Sequence, residues 1–234
     1  MKSRNNIGKI ATDMSAIQLS WSAIFLLIAF LISIVARTVF AAPDVTQESF
    51  FTFVYQPSKI FMLVIGIISV SGFLTFYVKQ GITRRDYFFG AAIAAFIVAL
   101  LLNTMAGVTG AVEQFFFPSL ETSSFLGPEA SWLIMIIVYS LNILVYYIAG
   151  WLIGSGFYRF EGGGVFYIIL AVALVSISDI LWEFDLKNPL KIFLDFNYHW
   201  EFPLTVSFLG TFFLIGITLW IIQATTRRIT IKMK

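Results

Sequence analysis

Residues 132–154 read WLIMIIVYSLNILVYYIAGWLIG, an apolar run without a charged side chain. A helix needs about 20 such residues to cross a hydrocarbon core about 30 Å thick, because lipid offers no partner to an unpaired backbone group. The run is long enough, so it predicts a transmembrane helix. Further stretches meet the same requirement at Ile17 to Ala41, Ile60 to Val78, Phe88 to Val112, Val165 to Leu181 and Leu204 to Ala224.

The composition of the whole chain also indicates a membrane protein. Of its 234 residues, 59% are hydrophobic and 12% are charged, whereas a soluble domain has about 25% charged residues. We therefore predict an all-α, polytopic membrane protein that forms a single domain with six transmembrane helices. The chain has no cysteine, which excludes disulfides and thiolate metal sites.

Basic residues predict the orientation of these helices. An even number of spans puts both termini on one side. That side collects most of the basic residues, which are Lys2, Arg4, Lys9, Lys79, Arg84, Arg85, Arg159, Arg227, Arg228, Lys232 and Lys234. Because cytoplasmic loops carry the excess of Lys and Arg, we expect both termini in the cytoplasm. Arg37, near the outer end of the first span, is expected to snorkel to the interface, or alternatively to pair with an outer carboxylate such as Asp179.

Three segments outside the spans have their own patterns. Residues 1–16 place apolar side chains at helical spacing and leave Gln18 off that face, which favours an interfacial helix before the first span. The first outer loop is expected at residues 42–59, because Pro57 limits a helix there and the aromatic run at 50–55 suits the interface. Residues 183–203 are long and apolar for a connection, so they predict a re-entrant segment between helices five and six.

Patterns for catalysis or metal binding are weak. Ser155 lies between two glycines and His199 is the only histidine. The predicted spans put them on opposite membrane faces, whereas a nucleophile and its base must be about 3 Å apart. One histidine and no cysteine leave only carboxylates for a metal. We therefore expect that this chain is not an enzyme and binds no cofactor or metal.

The acidic residues at the outer end of the fifth span are a second candidate site. Asp179 and Glu183 are four residues apart, so they share one helical face. Ionisable groups inside a membrane are costly and indicate a functional site. The alternative is a solvated or salt-bridged helix end. A rival hypothesis for the whole chain is a membrane enzyme that uses Asp179, Glu183 and His199, and another is a non-transporting partner in a signalling complex.

The inner turn between the second and third spans carries the most specific pattern, Gly81-Ile82-Thr83-Arg84-Arg85-Asp86-Tyr87-Phe88-Phe89-Gly90. Thr83 can cap a short helix whose first turn includes Asp86. The two arginines are then expected to face the cytoplasm, and the three aromatic residues to anchor the turn at the membrane surface. The orientation rule accounts for the arginines but not for the order of the other residues.

This order resembles the inner loop of small permease subunits of type-2 ATP-binding-cassette (ABC) exporters, Gly-(Val/Ile)-(Ser/Thr)-Arg-(Arg/Lys)-Asp-(Tyr/Phe)-Phe-x-Gly. The resemblance implies that residues 79–90 form a coupling helix that docks on a separate ATPase. The implied contact residues are Gly81, Ile82, Thr83, Arg84, Arg85, Asp86 and Tyr87. It also implies that residues 183–203 close an outer gate or substrate path. The gate residues would be Asp179, Glu183, Trp200 and Glu201.

The resemblance further implies the partners of the chain. These are two copies of an ABC ATPase that bind ATP and Mg, and a second permease subunit, identical or homologous. The chain itself lacks a phosphate-binding loop, because no Lys-Ser or Lys-Thr follows its glycine run at 162–164. We expect a multi-pass protein of a bacterial plasma membrane, with no nucleic-acid partner. The aromatic outer segment favours export of an amphipathic cargo, either a peptide or a lipid-like molecule.

Overall fold

The computed structural model describes residues 3–39, 48–117, 126, 130–160, 164–182 and 203–227. Their helices are α1 (Ser3–Thr38), α2 (Phe50–Ile68), a π-helical segment (Ser69–Leu74), α3 (Thr75–Lys79), α4 (Arg84–Phe116), α5 (Trp132–Phe160), α6 (Val165–Trp182) and α7 (Leu204–Thr226). In this part of the chain, six helical stretches are long and apolar enough to cross a membrane, and α2, the π-helical segment and α3 together make one of them. The predicted all-α, polytopic membrane fold is confirmed.

Helix α5 lies at the centre of the bundle, where it contacts α2, α4, α6 and α7. It is the most buried of the six spans, as expected for a helix that is hydrophobic on all sides. Helices α1, α6 and α7 expose large apolar side chains such as Leu27, Ile169 and Leu209. These surfaces suit contact with lipid, so the bundle has a packed centre and an apolar exterior.

Glycines bring α2 and α5 into backbone contact. A Cβ atom at Gly66 would lie 2.0 Å from the carbonyl oxygen of Tyr147, and one at Gly150 would lie 2.0 Å from the carbonyl oxygen of Leu63. Only glycine fits at such distances. Small residues at helix interfaces in membranes permit this approach, and the helices gain van der Waals contact from it. Helices α2 and α5 form the most extensive helix–helix interface among the described residues.

The N-terminal helix differs from its prediction. Helix α1 is one unbroken helix of 36 residues, which is about 54 Å long at 1.5 Å per residue. The segment predicted as a separate interfacial helix is helical, but it continues into the first span because no proline interrupts it. Ile10, Met14 and Gln18 are buried, on a helix that packs against α4. The prediction that Gln18 lies off the packed face is therefore wrong.

The second span begins earlier than predicted. Helix α2 starts at Phe50 and contains Pro57, so the first outer loop is shorter than expected. Phe50, Phe51 and Tyr55 of the aromatic run are buried in the bundle, so these rings contact other helices and not lipid headgroups. The rings of Phe51 and Tyr55 stack on Tyr139 of α5, with centroids 5.1 and 4.0 Å apart. This stacking holds the first turns of α2 against the bundle.

Candidate functional site

The turn between α3 and α4 has the predicted cap. The Thr83 hydroxyl accepts a hydrogen bond from the Asp86 N–H at 3.1 Å, and α4 begins at Arg84. Gly81 has a φ angle of 81°, in the left-handed region that favours glycine. The short helix predicted here is instead the first turn of the 33-residue α4, because no proline ends the helix before Phe116.

Burial divides this turn into two sides. Asp86, Tyr87 and Phe88 are buried, and the Phe88 ring lies against Trp151 of α5 with centroids 5.3 Å apart. The prediction that all three aromatic residues anchor the turn at the membrane surface is therefore wrong for Tyr87 and Phe88. The exposed or half-buried residues of the turn are Gly81, Ile82, Thr83, Arg84, Arg85 and Phe89.

Tyr87 connects the turn to a buried polar network. Its hydroxyl donates to the carbonyl oxygen of Ser69, the first residue of the π-helical segment. The Ser69 and Tyr147 hydroxyl oxygens lie 2.5 Å apart, and the Gln18 amide nitrogen donates to the Tyr147 hydroxyl at 3.1 Å. All four side chains are almost completely buried. The network therefore joins α1, the π-helical segment, α4 and α5, and breaking it would leave buried polar groups unsatisfied.

Asp179 lies in a second polar cluster, at the opposite end of the bundle. Its Oδ1 atom is 3.4 Å from Lys59 Nζ, and its Oδ2 atom accepts a hydrogen bond from the Tyr146 hydroxyl at 2.7 Å. Lys59 Nζ also lies 4.7 Å from the ring centroid of Tyr55, within cation–π range. The Lys59 side chain is only 3% exposed. These contacts fit the alternative of a salt-bridged helix end, in which the pairing offsets the cost of charge in a membrane.

Arg37 forms another ion pair at this end, with Glu113 of α4. The Arg37 guanidinium also donates to the Glu48 carbonyl oxygen at 2.6 Å, and the second Glu113 oxygen accepts the Phe50 N–H at 2.6 Å. The prediction that Arg37 snorkels is wrong, whereas the alternative of pairing with a carboxylate at this end is confirmed, with Glu113 and not Asp179 as the partner. Glu113 reaches Arg37 because α4 continues past the predicted end of its span.

The remaining candidates do not form a reaction centre in the described residues. Ser155 is buried, and its hydroxyl donates to the Leu152 carbonyl at 2.8 Å. Within the described ranges, no group of three or more His, Asp or Glu side chains could hold a metal ion. The re-entrant segment predicted at residues 183–203 lies outside the described residues except for Pro203. The site residues in that part are Glu183, His199, Trp200 and Glu201.

Sequence reasoning missed several partners, and the sequence contained a signal for some of them. Ile10, Met14, Gln18 and Ser22 recur at intervals of four residues and are all buried. That spacing marks one face of a helix, so it could have placed Gln18 against the bundle. Lys59 offers no such signal, because it follows Pro57 closely and falls in the predicted first outer loop.

No protein-family model, curated protein or solved structure matches the chain. The resemblance of residues 81–90 to ABC permease subunits therefore stays a hypothesis based on the motif. In the structure, Gly81 with its positive φ angle and the Thr83 cap hold the half-buried Arg84 and the exposed Arg85 beside the buried Tyr87.

Proposed function

We propose that the chain is the transmembrane permease subunit of an ABC exporter and that the turn between α3 and α4 docks on a separate ATPase. Two permease subunits, identical or homologous, frame the pathway for an amphipathic peptide or lipid-like cargo. The ATPase binds ATP and Mg, and its movement drives transport. In this proposal the protein lies in a bacterial plasma membrane with both termini in the cytoplasm.

The observation that carries the proposal is the division of the turn into an exposed basic side and a buried side. Thr83 and Arg85 are exposed, while the Tyr87 hydroxyl donates a hydrogen bond to the Ser69 carbonyl inside the bundle. A force applied to the exposed side therefore acts on α4 and on the π-helical segment together. π-Helical turns occur frequently at functional sites, which supports a role for this segment in the response.

The distribution of charge supports the proposed orientation. Arg84 donates to the Arg227 carbonyl and Arg159 to the Thr225 carbonyl, both at 3.2 Å. These bonds bring the start of α4 and the ends of α5 and α7 together at one end of the bundle, called here the basic end. At the opposite end the cations described above are paired with carboxylates. A concentration of arginine at one end is typical of the cytoplasmic side.

Purification of the tagged chain in mild detergent from its native membrane tests the proposal. We expect an ATPase with a phosphate-binding loop to co-purify in stoichiometric amount and to hydrolyse ATP faster in the complex. Arg85→Glu should abolish the association, because it reverses the charge of the exposed side. Lys9→Glu is a matched control. Lys9 is also an exposed basic residue, and it lies in α1 near the basic end of the bundle but outside the turn.

Two results would contradict the proposal. One is a chain that transports its cargo after purification without any ATPase. The other is an ATPase that binds the Arg85→Glu variant as well as it binds the Lys9→Glu variant.

A further inference from the structure

A cavity of about 390 Å³ lies between the start of α4 and the end of α7. Its lining residues are Arg84, Arg85, Phe88, Phe89, Gln223, Thr226 and Arg227. Three of them are arginines and none is acidic. Ordinary ligand sites occupy clefts of about 300–1,000 Å³, so the cavity is large enough for the polar part of a small molecule.

The three arginines form no salt bridge within the described residues. Arg84 is held in place by its bond to the Arg227 carbonyl at 3.2 Å, which uses only one of the five donors of its guanidinium. The Arg85 guanidinium carbon lies 5.9 Å from the ring centroid of Phe89. Like charges gathered in one cavity repel each other, and an anion that accepts their hydrogen bonds removes this repulsion. The cavity therefore favours a phosphate group.

The apolar part of the lining indicates what carries the phosphate. The Phe89 side chain is 39% exposed and lies beside the arginines on the outside of α4. The cavity is at the ends of two membrane-spanning helices, where lipid headgroups are found. Basic pockets between transmembrane helices bind anionic headgroups in this position. Inorganic phosphate would contact the arginines but has no apolar part to pack against the exposed Phe89 ring.

We infer that this cavity binds an anionic phospholipid, with its phosphate between Arg84, Arg85 and Arg227 and its acyl chains along Phe89. Lipid binding can be tested separately from ATPase docking, because Arg227 lines the cavity but is not part of the turn. A bound lipid would fix the end of α7 to the start of α4. It would thereby hold the basic end in one arrangement at the membrane surface.

Binding of short-chain lipids to the purified full-length chain tests this inference. Native mass spectrometry and calorimetry would measure the affinity of the chain for three ligands. These are dioctanoyl phosphatidylglycerol, dioctanoyl phosphatidylcholine and inorganic phosphate. We expect phosphatidylglycerol to bind at least tenfold more tightly than phosphatidylcholine. Arg227→Gln should weaken this binding about fivefold, and adding Arg85→Gln should weaken it about fivefold more, the contribution of one basic residue at an anionic surface. Lys79→Gln is the control, because Lys79 is exposed at the same end but does not line the cavity.

The outcomes separate the possible ligands and the two proposals. Inorganic phosphate that binds as tightly as phosphatidylglycerol would overturn the assignment to a lipid, and so would equal affinities for the two lipids. An Arg227→Gln variant that binds like Lys79→Gln would overturn the site itself. Lipid binding that is about fivefold weaker in Arg227→Gln, with the ATPase still bound, would support both proposals. Intact lipid binding without any ATPase would contradict the proposed function alone.

Discussion

Replacing Gly150 with alanine should force α5 away from α2. The added Cβ would lie 2.0 Å from the Leu63 carbonyl oxygen and 2.9 Å from its carbonyl carbon. Ordinary van der Waals contact begins at 3.4 Å, so the oxygen has to move by about 1.4 Å. The obstacle is helix backbone and not the end of a flexible side chain. The two helices must therefore separate over their most extensive interface.

The expected loss of stability follows from two opposing terms. Overpacking a well-packed core costs about 1–3 kcal/mol, and a backbone clash belongs at the upper end of that range. Alanine in place of glycine inside a helix stabilises the helix by about 1 kcal/mol. We therefore expect Gly150→Ala to lower the free energy of unfolding by about 2 kcal/mol. For a chain of this size, that corresponds to a Tm about 4–8 °C lower.

Thermal unfolding of the purified chain in detergent would measure this effect. Gly216→Ala in α7 is the matched control, because nothing lies within 4 Å of a Cβ atom at that position. The control gains the same helix propensity without a clash, so its Tm should be unchanged or higher. Equal Tm values for the two variants would refute the close approach of α2 and α5.

Other contacts give similar predictions for thermal unfolding. Thr83→Ala removes the cap of α4 and should cost about 1 kcal/mol, while Thr109→Ala, at a half-buried position inside the same helix, should cost less because it removes no cap. Tyr87→Phe should cost about 1 kcal/mol, because it removes the bond to the π-helical segment, and an unchanged Tm would show that this bond contributes nothing. Glu113→Gln should cost about 3 kcal/mol, because it removes the carboxylate charge that faces the Arg37 guanidinium. The same change in an Arg37→Gln background should cost clearly less, and equal costs would argue against the ion pair.

The membrane fold could be predicted because span length and apolar composition are local properties of the chain. Helices α5, α6 and α7 begin at the predicted residues Trp132, Val165 and Leu204. The start of α2 could not be predicted in this way, because a proline such as Pro57 ordinarily limits a helix. A transmembrane helix tolerates proline where neighbouring groups satisfy the freed backbone. Contacts with α5 hold α2 together through that position.

The candidate site shows the same division between local and long-range signals. The Thr83 cap joins residues three apart in sequence, so the pattern of the turn was enough to predict it. The ion pair of Lys59 with Asp179 joins residues 120 apart, and no spacing rule connects them. The burial of Tyr87 likewise depends on where the π-helical segment lies. Side-chain partners in this protein therefore required the folded structure.

Cross-linking from the turn in native membranes is the most direct test of the docking proposal. The chain contains no cysteine, so Gln80→Cys, an exposed position beside the turn, supplies a unique thiol for a short photo-activated cross-linker. The docking proposal predicts an adduct with an ATPase, and no such adduct from Val39→Cys at the opposite end. Labelling of position 80 from outside intact cells, or the absence of an ATPase adduct, would contradict the proposal.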